Sequence, residues 1–220
     1  AQGTILRDQA NPDMVLIGEA SRESGDILEQ IYHKHTTNKP AIHRMSRTEA
    51  EICKISLNCF LTTKIAYANM IGDIALSANA NPDKILSAIG SDSRIGNKYI
   101  RYGFGYGGPC FPRDNRALAI YAKDKGRKAL ISVASDESNK VHLKNQVDDF
   151  CKKEELSKPV MFDTVTYKPE STMLEESQQL FFAVELAKKG YDVIIREREQ
   201  VIKQISKEHG DLFRYELRRD

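Results

Sequence analysis

The stretch SRTEAEICKISLNCFLTTKIAYANMIGDIALSA, residues 46–78, decides the fold of this chain. Ser46 and Glu49 have the spacing of a capping box, in which each side chain bonds the backbone amide of the other residue. The stretch contains no proline, and its first glycine is Gly72, so it predicts one uninterrupted helix. A helix of this length usually needs a partner along its length, and its apolar positions cover more than one narrow stripe. We therefore predict that the helix packs within its own domain and also joins two copies of the chain in a homodimer.

Helices also dominate the residues that follow the long helix. Asn81 can cap a new helix, Pro82 is tolerated in its first turn, and Asp83 faces the positive helix end. Three helices are predicted, at residues 82–90, 113–125 and 130–151. The first two end at or near Gly90 and Gly126, and the third continues to Cys151. Residues 46–157 are therefore predicted to form a central helical domain.

The residues before the long helix have the pattern of an α/β segment. Short apolar runs at 14–18 and 40–45 predict two buried strands, and an amphipathic helix is predicted between them at 21–35. One strand–helix–strand unit is too small to close a doubly wound sheet by itself. Residues 1–45 are therefore predicted to be the tail of an N-terminal α/β domain.

A second β-α-β unit is predicted after Pro159. Strand patterns at 160–165 and 191–195 enclose a helix at 174–189, and such a unit is parallel with a right-handed crossover. The charge-dense remainder predicts one exposed helix and too few strands to complete a sheet. The predicted fold class is α/β: a mostly helical central domain with one long helix, flanked by partial Rossmann-like β-α-β segments at 1–45 and 158–220.

Composition limits the classes of partner. The chain has 220 residues, 33 basic and 31 acidic side chains and a net charge of +2, with both signs interleaved along its length. A nucleic-acid-binding protein carries a clustered basic face, so no nucleic acid partner is expected. No apolar run reaches the length of a bilayer span, and no basic and apolar leader opens the chain. We therefore expect a cytoplasmic protein with no membrane partner.

The glycine-rich stretch 103–108 matches the dinucleotide fingerprint G-x-G-x-x-G by letter, through Gly103, Gly105 and Gly108. That fingerprint must follow a buried parallel strand and open the first helix of a β-α-β unit. The residues before it, 97–102, carry charges in alternation and do not have the pattern of a buried strand. We therefore reject a nucleotide-binding loop here. The glycines could instead let backbone amides approach an anion or a crowded substrate.

Cys110 follows these glycines directly and lies near the predicted start of a helix. The positive end of a helix lowers the pKa of a thiol there, Arg113 adds positive charge, and Asp114 lies one helical turn further on, where it could orient a water. The four cysteines form no C-x-x-C pair and no zinc spacing with histidines, so no metal site is predicted. The alternative to a reactive cysteine is a glycine-rich turn with an inert buried thiol, and both interpretations stay open.

Lys54 and Asn58 lie four residues apart on the predicted long helix and therefore share a face. Both donate hydrogen bonds, so the pair could stabilise a developing negative charge on oxygen. The alternative is a surface lysine beside a solvated asparagine.

Several of these motifs in order resemble the UDP-glucose/GDP-mannose dehydrogenase family. The sequence GYGGPCFPRD, residues 105–114, resembles the catalytic-cysteine loop of that family, and SDSRIGNK, residues 91–98, resembles the segment upstream of it. Residues 51–69 are similar to the central helix of the family, with Lys54 and Asn58 in register. The resemblance covers nearly the whole chain, is strong over 46–125, and weakens after Pro159.

The resemblance implies a reaction and the residues that perform it. The family oxidises the sugar C6 alcohol of a nucleotide sugar to a carboxylate in two NAD-dependent steps, as in the conversion of UDP-glucose to UDP-glucuronate. By resemblance, Cys110 would add to the aldehyde and form a thiohemiacetal and then a thioester, which water cleaves. Lys54 and Asn58 would hold the oxygen of these adducts, and Asp114 would assist the water.

The resemblance also implies how the UDP-sugar substrate is held. Arg94 and Tyr99 would contact the nucleotide sugar, with Arg94 reaching across the interface of a homodimer built on the helix at 46–78. The backbone of Tyr106 and Gly107 would line the sugar pocket. Lys168 lies in a stretch similar to a lysine-containing loop of the family's C-terminal domain, which implies a role in substrate binding.

The chain departs from the family in ways that leave two interpretations. The sequence has no counterpart of the N-terminal NAD-binding domain, so no cofactor-binding residue is assigned and the chain alone is expected to be inactive. Gln2 stands where the family usually has glutamate, and Met173 and Glu175 replace an aspartate and an arginine that contacts cofactor phosphate. The first interpretation is an enzyme of the family; the alternative is a non-catalytic remnant that dimerises or binds a UDP-sugar.

Overall fold

The computed structural model describes residues 5–169 and 171–218, and the chain forms two compact units, Ala1–Leu57 and Asn58–Asp220. Gln2, whose identity departs from the family pattern, lies outside the described residues. The elements of the first unit are α1 (Ile5–Ala10), β1 (Met14–Glu19), α2 (Arg22–His35), β2 (Ala41–Ser46) and the beginning of α3 (Arg47–Ser77). The long uninterrupted helix is therefore present as predicted, and it continues into the second unit.

A two-stranded parallel sheet forms the first unit together with α2. β1 and β2 pair from Met14 opposite Ala41 to Glu19 opposite Ser46, and Val15 and Ile17 point into the interior. α2 begins after Ser21, which forms a capping box with Ser24. The strand–helix–strand order matches the prediction, whereas α1 was not predicted. It is a helix of 6 residues without a buried side chain, so the sequence gives no periodic apolar signal for it.

The start of α3 has the predicted capping box. The amide of Ser46 donates to Glu49 Oε2 at 2.8 Å, and the amide of Glu49 donates to Ser46 Oγ at 3.4 Å. These hydrogen bonds favour the ionised carboxylate, so the pKa of Glu49 lies below its usual value.

The second unit contains the rest of α3 and the remaining elements. They are α4 (Pro82–Ser91), α5 (Phe111–Asp124), α6 (Leu130–Lys153), β3 (Val160–Phe162), α7 (Gln178–Lys188), β4 (Val193–Glu197), α8 (Glu199–His209), a 3₁₀ turn (Gly210–Leu212) and β5 (Arg214–Leu217). Asn81 caps α4 by accepting hydrogen bonds from the amides of Asp83 and Lys84, as the sequence predicts. α5 begins two residues earlier than predicted, because Pro112 has no amide hydrogen to lose in the first turn.

The C-terminal sheet is larger than predicted. β3 and β4 are parallel, as expected for the β-α-β unit, but β5 adds a third parallel strand with Ile194 opposite Arg214. The helix predicted as exposed, α8, buries Val201 and Ile205 in the core of this region. β5 escaped prediction because it is an edge strand of 4 residues whose only half-buried side chain is Tyr215. The prediction of α/β architecture with a long helix and flanking β-α-β segments is confirmed.

Candidate active site

Cys110 occupies the residue immediately before α5. Its carbonyl accepts the hydrogen bond of the Asp114 amide at 2.8 Å, which is the first bond of the helix. The thiol side chain is exposed, whereas Cys59 is buried and Cys53 and Cys151 are half-buried. The structure therefore excludes an inert buried thiol at position 110 and leaves the sulfur accessible beside the amides that open α5.

The carboxylate of Asp114 lies one turn after Cys110 and is oriented by α3. Asp114 is only 6% exposed, and its Oδ2 accepts a hydrogen bond from Asn58 Nδ2 at 2.6 Å. Arg113, which is largely exposed, approaches Oδ1 at 3.3 Å. Of the four predicted catalytic residues, the structure thus brings two into contact, Asn58 on α3 and Asp114 in the first turn of α5. Cys110 immediately precedes that turn.

Lys54 lies one turn before Asn58 on the same helix, and its side chain is exposed. Residues at this spacing lie on one face of a helix, so the predicted pairing along α3 agrees with the helix observed. Lys54 belongs to the first compact unit, and its approach to Cys110 remains a prediction.

A second polar pair beside Asp114 was not predicted. Asn115 is 1% exposed, and its Nδ2 donates to Thr62 Oγ1 at 2.8 Å and to the Phe111 carbonyl at 2.9 Å. Thr62, which is fully buried, in turn donates to the carbonyl of Cys59 at 2.8 Å. Asp114 and Asn115 therefore attach the first turn of α5 to two residues of α3 that lie one turn apart.

The glycine-rich loop is packed against protein atoms on both sides. A Cβ on Gly105 would lie 2.2 Å from Asn139 Oδ1, and one on Gly107 would lie 2.1 Å from the Glu176 carbonyl oxygen. Gly108 has φ +80°, and a Cβ there would meet the ring of Tyr167. These glycines are therefore required for close packing of the loop, a different role from the approach to an anion that the sequence suggested.

The beginning of the loop is held by a buried network around Asp73. His142, 2% exposed, places Nδ1 2.9 Å from Asp73 Oδ1 and Nε2 2.7 Å from the Gly103 carbonyl. The Tyr102 hydroxyl donates to the same carboxylate at 3.1 Å, and burial together with the charge of Asp73 raises the pKa of this phenol. Asn69 Oδ1 accepts the Gly103 amide at 3.1 Å. The network fixes the loop to α3 and α6.

Tyr106 is held by one side chain through both of its backbone groups. Its amide donates to Asn139 Oδ1 at 2.9 Å, and Asn139 Nδ2 donates back to its carbonyl at 2.9 Å. The phenol ring is 3% exposed, its hydroxyl has no partner among the described residues, and burial raises its pKa. A sugar contact at this residue would therefore use the remaining lone pair of the carbonyl oxygen.

The predicted nucleotide-sugar residues Arg94 and Tyr99 are both exposed. Arg94 folds back onto Asp92 at 2.7 Å, and this hydrogen bond lowers the pKa of the aspartate. Tyr99 has φ +65°, a strained conformation for a bulky residue, and such strain is found preferentially at functional sites. A cavity of about 300 Å³ is lined by Asn97, Lys98, Tyr99 and Arg101.

Lys168 is half-buried in the loop between β3 and α7, where its carbonyl accepts from Thr166 Oγ1 at 3.0 Å. The same loop contacts the glycine-rich stretch, since the Gly108 amide donates to the Glu175 carbonyl at 3.0 Å. The side chain of Glu175 is exposed and lines a groove of about 330 Å³ with Arg113 and Arg116. Glu176 lines the groove as well and pairs with Arg116 at 2.7 Å, so two acids balance two arginines and the groove offers a phosphate no net positive charge.

The glycine-rich stretch does not fit the pyrophosphate of NAD. Three amides of the glycine-rich stretch, those of Gly103, Tyr106 and Gly108, already donate to protein oxygens, so they cannot cradle a pyrophosphate. Residues 97–102, directly before this stretch, do not form a strand, which confirms the rejection of a dinucleotide fingerprint. Over residues 5–169 and 171–218, no group of three or more potential metal ligands is found, and no helix combines the length and apolarity of a membrane span.

Comparison with known proteins places this loop in a family. Residues 48–141 match the central domain of the UDP-glucose/GDP-mannose dehydrogenase family. A UDP-glucose 6-dehydrogenase of Pseudomonas aeruginosa is 36% identical over 138 residues, which are 63% of this chain and 30% of that protein. Residues 48–141 therefore form a central domain of the UDP-glucose/GDP-mannose dehydrogenase family. A putative UDP-glucose 6-dehydrogenase of Bacillus subtilis, 30% identical, extends the similarity to 94% of this chain and 49% of the relative.

The solved structures agree with this family. A UDP-glucose dehydrogenase from Pyrobaculum islandicum matches with a TM-score of 0.84 and 26% identity, over 97% of this chain and 49% of that one. The chain thus spans about half the length, or less, of the dehydrogenases it matches. The central-domain match contains every proposed site residue except Lys168.

Proposed function

We propose that this chain carries the catalytic core of a nucleotide-sugar dehydrogenase that oxidises the C6 alcohol of a UDP-hexose, with UDP-glucose as the first candidate. The observation that carries the proposal is the 2.6 Å hydrogen bond between Asn58 and Asp114, directly beside the exposed Cys110. Acyl chemistry at a thiol requires a nucleophile, an amide donor and a carboxylate, which Cys110, Asn58 and Asp114 would supply.

In this proposal Cys110 attacks the C6 aldehyde, and its sulfur forms a bond to carbon while the aldehyde oxygen gains a proton to give a thiohemiacetal. Loss of a hydride and a proton then leaves a thioester, and water cleaves the carbon–sulfur bond to release the carboxylate and the thiol. Oxidation of the alcohol to the aldehyde, and of the thiohemiacetal to the thioester, would each need a two-electron acceptor, and NAD is proposed for both by resemblance to the family.

The roles of the donors follow from their hydrogen bonds. Asn58 Nδ2 has two hydrogens, of which Asp114 takes one, so the second remains for the oxygen of the adduct. Lys54, one turn away on α3, would add a positive charge. Asp114 would orient the hydrolytic water, since a carboxylate fixed by two neighbours has a defined direction for its remaining lone pairs.

Substrate binding and dimerisation complete the proposal. Arg94, Tyr99, Lys168 and the backbone of Tyr106 and Gly107 would hold the UDP-sugar. The homodimer would form along α3, where Phe60, Tyr67 and Ile74 recur at intervals of seven residues and are 64%, 44% and 58% exposed. An apolar stripe at this spacing is typical of a helix that pairs with another helix.

The alternative function, a non-catalytic module that binds a UDP-sugar or dimerises, is favoured by one observation. The loop amides that could hold a cofactor phosphate are already bonded to protein oxygens. Binding of a UDP-sugar is expected for both functions and does not distinguish them. Enhanced reactivity of Cys110 is expected only for the catalytic function.

Isothermal titration calorimetry of the purified chain tests the proposed substrate. We expect binding of UDP-glucose, no binding of NAD, and no NADH when both are present, because the amides of the glycine-rich stretch already donate to protein oxygens and no cofactor-binding residue is assigned in the chain. The variant Cys110→Ser should bind UDP-glucose as the native chain does, since binding precedes attack by the sulfur. Free glucose serves as the control ligand without a nucleotide. Failure to bind any nucleotide sugar would contradict the proposal.

A further inference from the structure

The first turn of α5 carries a buried hydrogen-bond arrangement that the proposed chemistry does not use. Asn115 donates both hydrogens of Nδ2, one to Thr62 Oγ1 at 2.8 Å and one to the Phe111 carbonyl at 2.9 Å. Its Oδ1 is buried and has no hydrogen-bond partner among the described residues. An unpaired buried oxygen opposes folding, so asparagine is a poor choice at this position for stability alone.

Both hydrogen-bond partners of Asn115 would keep another hydrogen bond if Asn115 were replaced. The Phe111 carbonyl already lies opposite the amide of residue 115 in the helical bonding pattern of α5. Thr62 Oγ1 already donates to the Cys59 carbonyl at 2.8 Å. What the side chain of Asn115 adds is therefore a fixed position of the first turn of α5 against α3.

We infer that Asn115 is a positioning residue, which, through Thr62 and Phe111, sets the first turn of α5 and thereby the direction of the Cys110 sulfur towards Asn58. Asp114 bonds α3 through Asn58. The bond of Asn115 to Thr62, one turn further along α3, is a second point of attachment, and two such points define the orientation of the first turn of α5 against α3. This inference rests on the proposed role of Cys110.

The test measures the rate of Cys110 alkylation by iodoacetamide in the 220-residue chain, relative to Cys151 in the same molecules. Asn115→Leu and Thr62→Val, both close in volume to the native residues, should each slow Cys110 by at least about fivefold, the factor that corresponds to one ordinary hydrogen bond. Thr62→Ser keeps the hydroxyl and should retain the native rate. Thr63→Val is the matched control, because Thr63 bonds the Cys59 carbonyl and Ser135 but not α5.

A urea unfolding curve for each variant separates positioning from stability. Because Asn115→Leu removes an unpaired buried oxygen, its unfolding midpoint should not fall while the alkylation rate does. An unchanged rate in Asn115→Leu and Thr62→Val, or a rate that falls only in step with stability and also in Thr63→Val, would overturn the inference. Equal labelling of all cysteines in the native chain would instead refute the proposed function itself, so the two failures are distinguishable.

Discussion

Replacement of His142 by leucine is expected to lower the free energy of unfolding by about 3 kcal/mol, the loss typical of a buried polar pair that loses one partner. Both ring nitrogens face acceptors, the Asp73 carboxylate at 2.9 Å and the Gly103 carbonyl at 2.7 Å. Leucine fills a similar volume but donates to neither, so Asp73 would lose its contact with His142 and keep its bonds from Tyr102 and Asn145. Urea unfolding followed by circular dichroism measures the change.

The control for this substitution is Lys144→Leu, an exposed position two residues further along α6. A change within about 0.5 kcal/mol is expected there, as for most surface substitutions. A double-mutant cycle with Asp73→Asn should show strong coupling to His142, because the two side chains are in contact. Additive losses, or a loss at His142 no larger than at Lys144, would contradict the role assigned to the network.

Replacement of Gly107 by alanine is expected to destabilise the chain by about 1–3 kcal/mol and to displace the loop before Cys110. The added Cβ would lie 2.1 Å from the Glu176 carbonyl oxygen, and backbone atoms cannot move aside as a flexible side chain can. The contact between the glycine-rich loop and the loop before α7 must therefore open. Urea unfolding gives the loss of stability, and calorimetry with UDP-glucose gives the effect on the proposed sugar pocket.

Gly103→Ala is a matched control in the same loop. No atom lies within 4 Å of a Cβ at Gly103, and its φ lies outside the left-handed region. The substitution should leave stability unchanged or raise it slightly, because alanine restricts the unfolded chain. If both alanine variants behaved alike, close packing of Gly107 could not be the reason for the glycine.

The sequence predicts the elements whose signals are local. The capping box at Ser46 and the cap at Asn81 give the beginnings of α3 and α4, and Gly126 gives the end of α5 nearly to the residue. Gly90 does not end α4, which continues through it to Ser91. β5 has no such signal, since its strand conformation comes from pairing with β4. The loop around Cys110 can also be predicted from the sequence, because the glycines, the cysteine and Asp114 lie close together in the chain.

The side chains that hold this loop could not be predicted from the sequence, for a physical reason. α6 buries a polar stripe at helical spacing, formed by Ser132, Ser135, Asn139 and His142. A polar stripe normally marks the solvent face of a helix, so the pattern alone predicts the opposite orientation. Only the tertiary structure shows that Asn139 and His142 bond the backbone of the loop. The same holds for Asn115, whose partner Thr62 is 53 residues away.

The reactivity of Cys110 in the folded chain tests the central claim most directly. The rate of alkylation of each cysteine would be measured by mass spectrometry in the native chain, in the chain unfolded in urea, and in the native chain with UDP-glucose. The account predicts that Cys110 reacts faster than Cys53, Cys59 and Cys151, faster than it does itself when unfolded, and more slowly when UDP-glucose is bound. A comparison with the unfolded chain is needed because exposure alone would favour Cys110. Equal labelling of all four cysteines, or a Cys110 that gains reactivity on unfolding, would contradict the account.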